Sequence, residues 1–147
     1  MSDDPGVHVF PMRIYFEDTD AGGIVYYANY LRFAERARTE MLRLAGIESS
    51  DLMATSGIAF AVKECHMEFL KPARLDDAIQ VETRITSVGG ASLRLDQKVL
   101  RQDERLVDID VRLACMGGDG RPKRLPADVV GAVRDLAACH ENATTGA

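Results

Sequence analysis

Three carboxylates and two glycines crowd one short stretch, Glu17-Asp18-Thr19-Asp20-Ala21-Gly22-Gly23, which runs directly into Ile24-Val25-Tyr26-Tyr27-Ala28-Asn29-Tyr30. A carboxylate in such a loop can activate water as a general base or attack a carbonyl carbon as a nucleophile. It can also simply shape a turn, because Asp and Gly are frequent where backbone bends and Asp side chains satisfy local N–H groups. A calcium loop is a third reading: Asp18, Asp20 and Gly23 match the first, third and sixth positions of the EF-hand pattern. That pattern fails at Gly22, where a ligand is needed, and at Asn29, where a bidentate Glu should close the shell. No metal or other cofactor is expected.

The elements that must position this loop follow from periodicity. Met12, Ile14 and Phe16 alternate with Arg13, Tyr15 and Glu17, which predicts a first strand ending at the acidic loop. From Tyr30 the apolar positions run Phe33, Ala34, Ala37, Met41, Leu44 and Ala45, the spacing of a helix of about four turns. Asn29 is its N-cap candidate and Gly46 its stop. One helical turn is expected around Ser50 to Ala54.

Four strands should follow. The first, about Ile58 to Leu70, carries its apolar phase on Ile58, Phe60 and Val62 and resumes it at Cys65, Met67 and Phe69. That one-residue slip implies a bulge near Lys63 and Glu64. Ile79, Val81, Thr83 and Ile85 share one face of the next strand. Gly89-Gly90 marks a hairpin into Leu93, Leu95 and Val99, and a turn near Asp103-Glu104 leads to Val107, Ile109, Val111, Leu113 and Cys115. Pro126 opens a terminal helix through Val129, Val133 and Leu136. The sum is one α+β domain over residues 1–147, with a core of about 9–138 and flexible ends at about Met1 to Gly6 and Asn142 to Ala147.

Composition narrows the class. With 46% apolar and 28% charged residues the chain has ordinary globular usage, which argues against disorder or a disulfide-dense scaffold. A net charge of -5 argues against non-specific nucleic-acid binding, which depends on Lys and Arg neutralising phosphates. No stretch nears the roughly 20 apolar residues of a membrane span, and Met1-Ser2-Asp3-Asp4-Pro5 is acidic where a signal peptide is basic, so a cytoplasmic location is expected. Cys65, Cys115 and Cys139 are odd in number and widely spaced, which fits reduced, individually buried thiols. Neither Cys65 with His66 nor Cys139 with His140 can pair as nucleophile and base, since neighbours on a strand or helix face apart.

The run Tyr15 to Tyr30 resembles the signature of hot dog thioesterases of the 4-hydroxybenzoyl-CoA thioesterase superfamily, especially the YbgC-type acyl-CoA thioesterases associated with the bacterial Tol-Pal system. Glu35-Arg36-Ala37-Arg38-Thr39-Glu40, Pro72-Ala73-Arg74-Leu75-Asp76-Asp77 and Arg121-Pro122-Lys123-Arg124-Leu125-Pro126 extend the likeness over about residues 9 to 130. The resemblance implies about five antiparallel strands wrapped around one long central helix, and hydrolysis of acyl-CoA to a free acid and CoA. It implies Asp20 as catalytic carboxylate, while Glu17 and Asp18 are read from the loop itself as supporting it. The backbone N–H of Tyr27 would polarise the thioester carbonyl, with Gly23 and Val25 against the substrate. Homodimers or homotetramers are implied, as are an acyl carrier protein or the membrane-associated Tol-Pal complex as partners.

Position 27 departs from the YbgC type, which carries His there; the bacterial 4-hydroxybenzoyl-CoA thioesterase carries Tyr, as this chain does. A backbone role survives the change, whereas a phenol titrating near 10 cannot replace an imidazole titrating near 6.5. An aromatic acyl group gains ground accordingly. The CoA phosphates call for basic groups at the pocket mouth, and Lys71, Arg74, Arg121, Lys123 and Arg124 are the candidates. Two rivals remain. A hot dog hydratase pairs its Asp with a His a few residues on, but no His follows Asp20 before His66. A non-catalytic acyl-CoA or acyl-carrier-protein binding module would need no carboxylate at the thioester.

Overall fold

The computed structural model describes residues 6–145, and for 138–145 the course of the backbone only. Strand β1 (His8–Arg13) precedes helix α1 (Asn29–Leu44) and helix α2 (Ser49–Ser56). Strands β2 (Ile58–Phe69), β3 (Ala78–Val88), β4 (Ser92–Arg101) and β5 (Glu104–Gly117) follow, then helix α3 (Ala127–Thr145). All pairings are antiparallel, in the order β1-β3-β4-β5-β2. The strands wrap their apolar face around α1, the hot dog arrangement that the resemblance implies. No helix among the described residues is long and apolar enough to cross a membrane.

Strand alternation sets the sheet's inner face. Ile79, Val81 and Ile85 of β3 are buried, as are Leu93, Leu95 and Val99 of β4 and Val107, Ile109, Val111 and Leu113 of β5. Antiparallel register brings them opposite one another, with Val81 beside Val99 and Leu95 beside Val111. Phe33, Ala34, Ala37 and Met41 of α1 complete the core, and Val129 and Val133 of α3 join it. Each such aliphatic or aromatic side chain contributes about 1.5–3 kcal/mol on burial. The bulge of β2 falls between Val62 and Glu64, where the slip in its apolar phase puts it.

Several elements differ from the sequence reading. β1 stops at Arg13 because its partner β3 starts at Ala78, and a 3-10 turn over Phe16–Asp18 follows. Phe16, expected on the inner face, is therefore 82% exposed. Ala28, not Asn29, caps α1, and the Asn29 side-chain amide instead donates to the Asp18 carbonyl at 2.9 Å. Leu44, the last residue of α1, is exposed, whereas Leu42 and Arg38 are buried. Helix α2 has two turns rather than one and ends on Gly57 in the left-handed conformation. Cys115 is buried as expected, but Cys65 is exposed on edge strand β2; Cys139 lies where only backbone is described. Helix α3 runs to Thr145, into the stretch read as a flexible end, while residues 1–5 and 146–147 lie outside the described residues.

One polar chain crosses the core. Gln97 of β4 is fully buried; its amide nitrogen donates to Thr83 Oγ1 and to the Ala34 carbonyl, each at 3.0 Å. Its amide oxygen accepts from Arg38 Nη1 at 3.1 Å. Helix α1 is thus pinned to the sheet by direction-specific bonds as well as by apolar contact. Gln97→Leu keeps the volume but strands a buried guanidinium. It should lower stability by about 2–3 kcal/mol and the melting temperature by roughly 5–10 °C in a thermal scan, and an unchanged melting point would refute the pin.

Candidate active site

Asp20 sits at the tip of a small hairpin-like loop. Its N–H donates to the Ile24 carbonyl at 2.9 Å, and its own carbonyl accepts the Gly23 N–H at 3.1 Å. Gly23 has a φ of +78°, which a side chain would strain. Asp20 Oδ1 accepts the Gly22 N–H at 2.8 Å, and a β-carbon at Gly22 would stand only 3.2 Å from that oxygen. The glycine pair thus turns the chain and makes room for the carboxylate. One carboxylate oxygen is aimed by the backbone, while Asp20 as a whole is exposed. Asp18 is occupied differently. Its Oδ2 accepts the Tyr15 N–H at 2.8 Å, and its carbonyl accepts the Tyr26 N–H at 3.0 Å as well as the Asn29 amide.

The loop's far side is hydrogen-bonded to the segment 72–77, which acts as a strap. Val25 N–H donates to the Ala73 carbonyl at 2.9 Å, and Leu75 N–H donates to the Gly23 carbonyl at 3.1 Å. The strap is in turn braced by charge. Arg101 pairs with Asp77 at 2.7 Å and with Glu104, which also holds Lys71 at 2.9 Å. Burial alone would push the Asp77 carboxyl up, but the Arg74 N–H and the Arg101 guanidinium outweigh it and hold the group below the usual carboxylate range.

After the loop the chain turns into α1. Tyr27 lies in the turn just before the helix, and its N–H donates to no described residue. An unpaired N–H at the positive end of a helix is a ready donor to an oxygen on which charge develops. Beside it opens a pocket of about 300 Å³, lined by Ile24, Val25, Tyr27, Tyr30, Phe69 and Leu70, with Lys71 and Pro72 at its edge. The Tyr27 ring meets Phe69 edge-on at 6.2 Å, and Tyr30 lies 5.9 Å from Phe69. Such a cavity suits an apolar or aromatic group.

The sequence-derived candidates fall into two places. Asp20, Gly23, Val25, Tyr27, Lys71 and Arg74 come together around the loop and strap. Lys123 and Arg124 do not join them. Lys123 is bonded to Cys115 and Arg124 lies near Gly90, at the end of β5 opposite the one where Phe69 meets Val107. About ten residues of strand, roughly 30 Å, separate the two groups within one chain. Phe69 and Tyr30 line the pocket and Ala73 braces the loop, whereas sequence alone places them in a strand, a helix face and a motif. Phe69 belongs to the apolar phase of β2, but nothing in that phase marks it as facing the loop.

The chain and its fold have counterparts among known proteins. The profile of the thioesterase-like superfamily matches residues 14–133. A Haemophilus influenzae protein named acyl-CoA thioesterase YbgC is 41% identical over 128 residues, 86% of this chain and 94% of the relative. The acyl-CoA thioester hydrolase YbgC of Escherichia coli O6:H1 is 42% identical over 123 residues, 82% of this chain and 91% of that protein. The crystal structure of a probable thioesterase from Bartonella henselae superposes with a TM-score of 0.79 at 36% identity, covering 82% of this chain and 99% of the other. With the loop, α1 and strands β2 to β5 inside the matched span, the chain belongs to the thioesterase-like superfamily.

Proposed function

We propose that this protein hydrolyses acyl-CoA thioesters to a free carboxylic acid and CoA, with Asp20 as the reacting carboxylate. The observation that supports the reading is an exposed carboxylate, aimed by the Gly22 N–H, on a loop whose continuation supplies both wall residues of an apolar pocket and the Tyr27 N–H, which has no described partner. The names of its relatives supply the substrate class.

Two routes balance. As general base, Asp20 takes a proton from water; the hydroxide adds to the thioester carbon, and collapse of the oxyanion expels the CoA thiolate, which is then protonated. As nucleophile, Asp20 forms a mixed anhydride and releases CoA, and water then cleaves the anhydride. In both, the Tyr27 N–H meets the oxyanion, a contribution typically worth about 100- to 1000-fold in rate. The phenol of Tyr27 has no role in either route, so the Tyr at this position is compatible with the chemistry. The aromatic walls of Tyr27, Tyr30 and Phe69 favour an aromatic or compact acyl group.

The phosphates of CoA are met by Lys71 and Arg74, which flank the loop. The Lys71–Glu104 pair is exposed, so exchanging Glu104 for a phosphate costs little. Lys123 and Arg124 reach the same ligand only from a second copy of the chain. Strand β2 stands at the sheet edge with Val62 and Phe69 exposed, so antiparallel pairing of β2 with its counterpart would bring the far end of one chain to the loop of the other. Light scattering should give a mass of two or four chains, and a fully active monomer would overturn this arrangement.

The activity test measures free CoA released from benzoyl, short-chain and long-chain acyl-CoAs. Asp20→Asn should cut kcat by at least about 1000-fold while acyl-CoA still binds. Undiminished turnover in Asp20→Asn would remove Asp20 from the mechanism. Tight binding without hydrolysis of any thioester by the natural sequence would instead make it a binding module.

A further inference from the structure

Ala73 is fully buried and uses both of its backbone polar groups. Its carbonyl accepts the Val25 N–H at 2.9 Å, and its N–H donates to the Tyr30 hydroxyl at 3.0 Å. Tyr30 is the second residue of α1, and the Ile24 carbonyl accepts the Asp20 N–H at 2.9 Å. The links Tyr30 to Ala73, Ala73 to Val25 and Ile24 to Asp20 therefore form one short path from the helix start to the reacting carboxylate.

We propose that Tyr30 is a positioning residue for thioester hydrolysis, setting the Asp20 loop against the start of α1 through Ala73, with Asp77 and Arg101 fixing the strap that carries Ala73. The proposal rests on the reading of Asp20 as the catalytic carboxylate. Two features set this apart from plain core packing. The ring of Tyr30 is already held edge-on by Phe33 at 5.8 Å and tilted against Phe69, so a Phe would fill the space equally well. What Phe lacks is the hydroxyl, whose only described bond goes to the strap. Burial raises the Tyr30 hydroxyl above its ordinary range, so it stays a neutral phenol able to accept the Ala73 N–H at working pH. The strap is equally constrained. Asp77 accepts from Arg101 and from the Arg74 N–H at 2.8 Å, Arg101 also reaches the Pro72 carbonyl, and Asp76 N–H donates to the Ile14 carbonyl at 3.0 Å. A carboxylate and an oxyanion donor on separate elements must keep their spacing, since a misplacement of about 1 Å can cost about 100-fold.

Tyr30→Phe should lower kcat by at least about tenfold with KM for acyl-CoA changed less than about threefold. In the Asp20→Asn background the same substitution should cost almost nothing of the residual turnover, because both act through one carboxylate. Amide exchange at Val25 and Ala73 should quicken in Tyr30→Phe and in Asp77→Asn. Wild-type kcat in Tyr30→Phe, or an equal loss in both backgrounds, would overturn the proposal. If Tyr30→Phe folds poorly, Asp77→Asn carries the same comparison with the same criteria. Full turnover in Asp20→Asn would sink the catalytic reading itself; an inactive Asp20→Asn beside a fully active Tyr30→Phe would sink only the positioning role.

Discussion

The hydrogen bonds that join the Asp20 loop to the strap at Ala73 and Leu75 hold a polar, glycine-rich turn in one shape. Such a turn has little apolar surface of its own, since Asp20, Ala21 and Gly22 are all exposed. Ordering its backbone costs about 1–2 kcal/mol per residue, and local burial cannot offset that. The compensation comes from the neighbours. Val25 and Tyr30, both just after the loop, insert into the core, and the strap that bonds to both is buried at Ala73. Loop, strap and helix start are therefore one unit, and the pocket beside Tyr27 is the space this unit leaves open.

Charge is arranged around that unit rather than within it. The Arg101, Asp77, Glu104 and Lys71 cluster sits at the sheet end beneath the strap, where its members are partly exposed. Individual pairs of this kind contribute about 0–1 kcal/mol, so their effect is to hold geometry more than to add stability. The buried Arg38 is the reverse case. Its bond to Gln97 is far from the loop and links α1 to the middle of the sheet, which fixes the direction in which the helix start points. Hot dog architecture thus supplies a rigid axis, and the proposed site occupies the end of that axis, where the Tyr27 N–H has no described partner.

Much of this was legible in the order of residues. Strong alternation in β3 and β5, the Gly89-Gly90 hairpin and the β2 bulge were all readable because they depend on short-range pattern. The acidic turn was readable for the same reason, and the resemblance then pointed to Asp20. What escaped depends on contacts distant in sequence. Phe16 looked like a strand residue until the end of β3 cut β1 short. Asn29 has ideal N-cap chemistry, yet its amide reaches back to Asp18, and only the folded loop puts that carbonyl there. Arg38 reads as a solvated position until Gln97, fifty-nine residues away, accepts its hydrogen bond. Cys65 reads as buried because its strand phase is right, but it lies on an edge that one chain leaves uncovered. Nothing local marks Lys123 and Arg124 as standing at the opposite end of β5 from Lys71 and Arg74.

In the proposed site a thioester carbonyl lies against the start of α1, where the donor is backbone and no side-chain substitution removes it. The direct measurement is isotope-edited infrared spectroscopy of benzoyl-CoA carrying ¹³C at the thioester carbonyl, bound to the Asp20→Asn protein. Donation from the Tyr27 N–H should move the carbonyl stretch to lower frequency than in water. A band at or above the frequency of the free thioester would contradict the account.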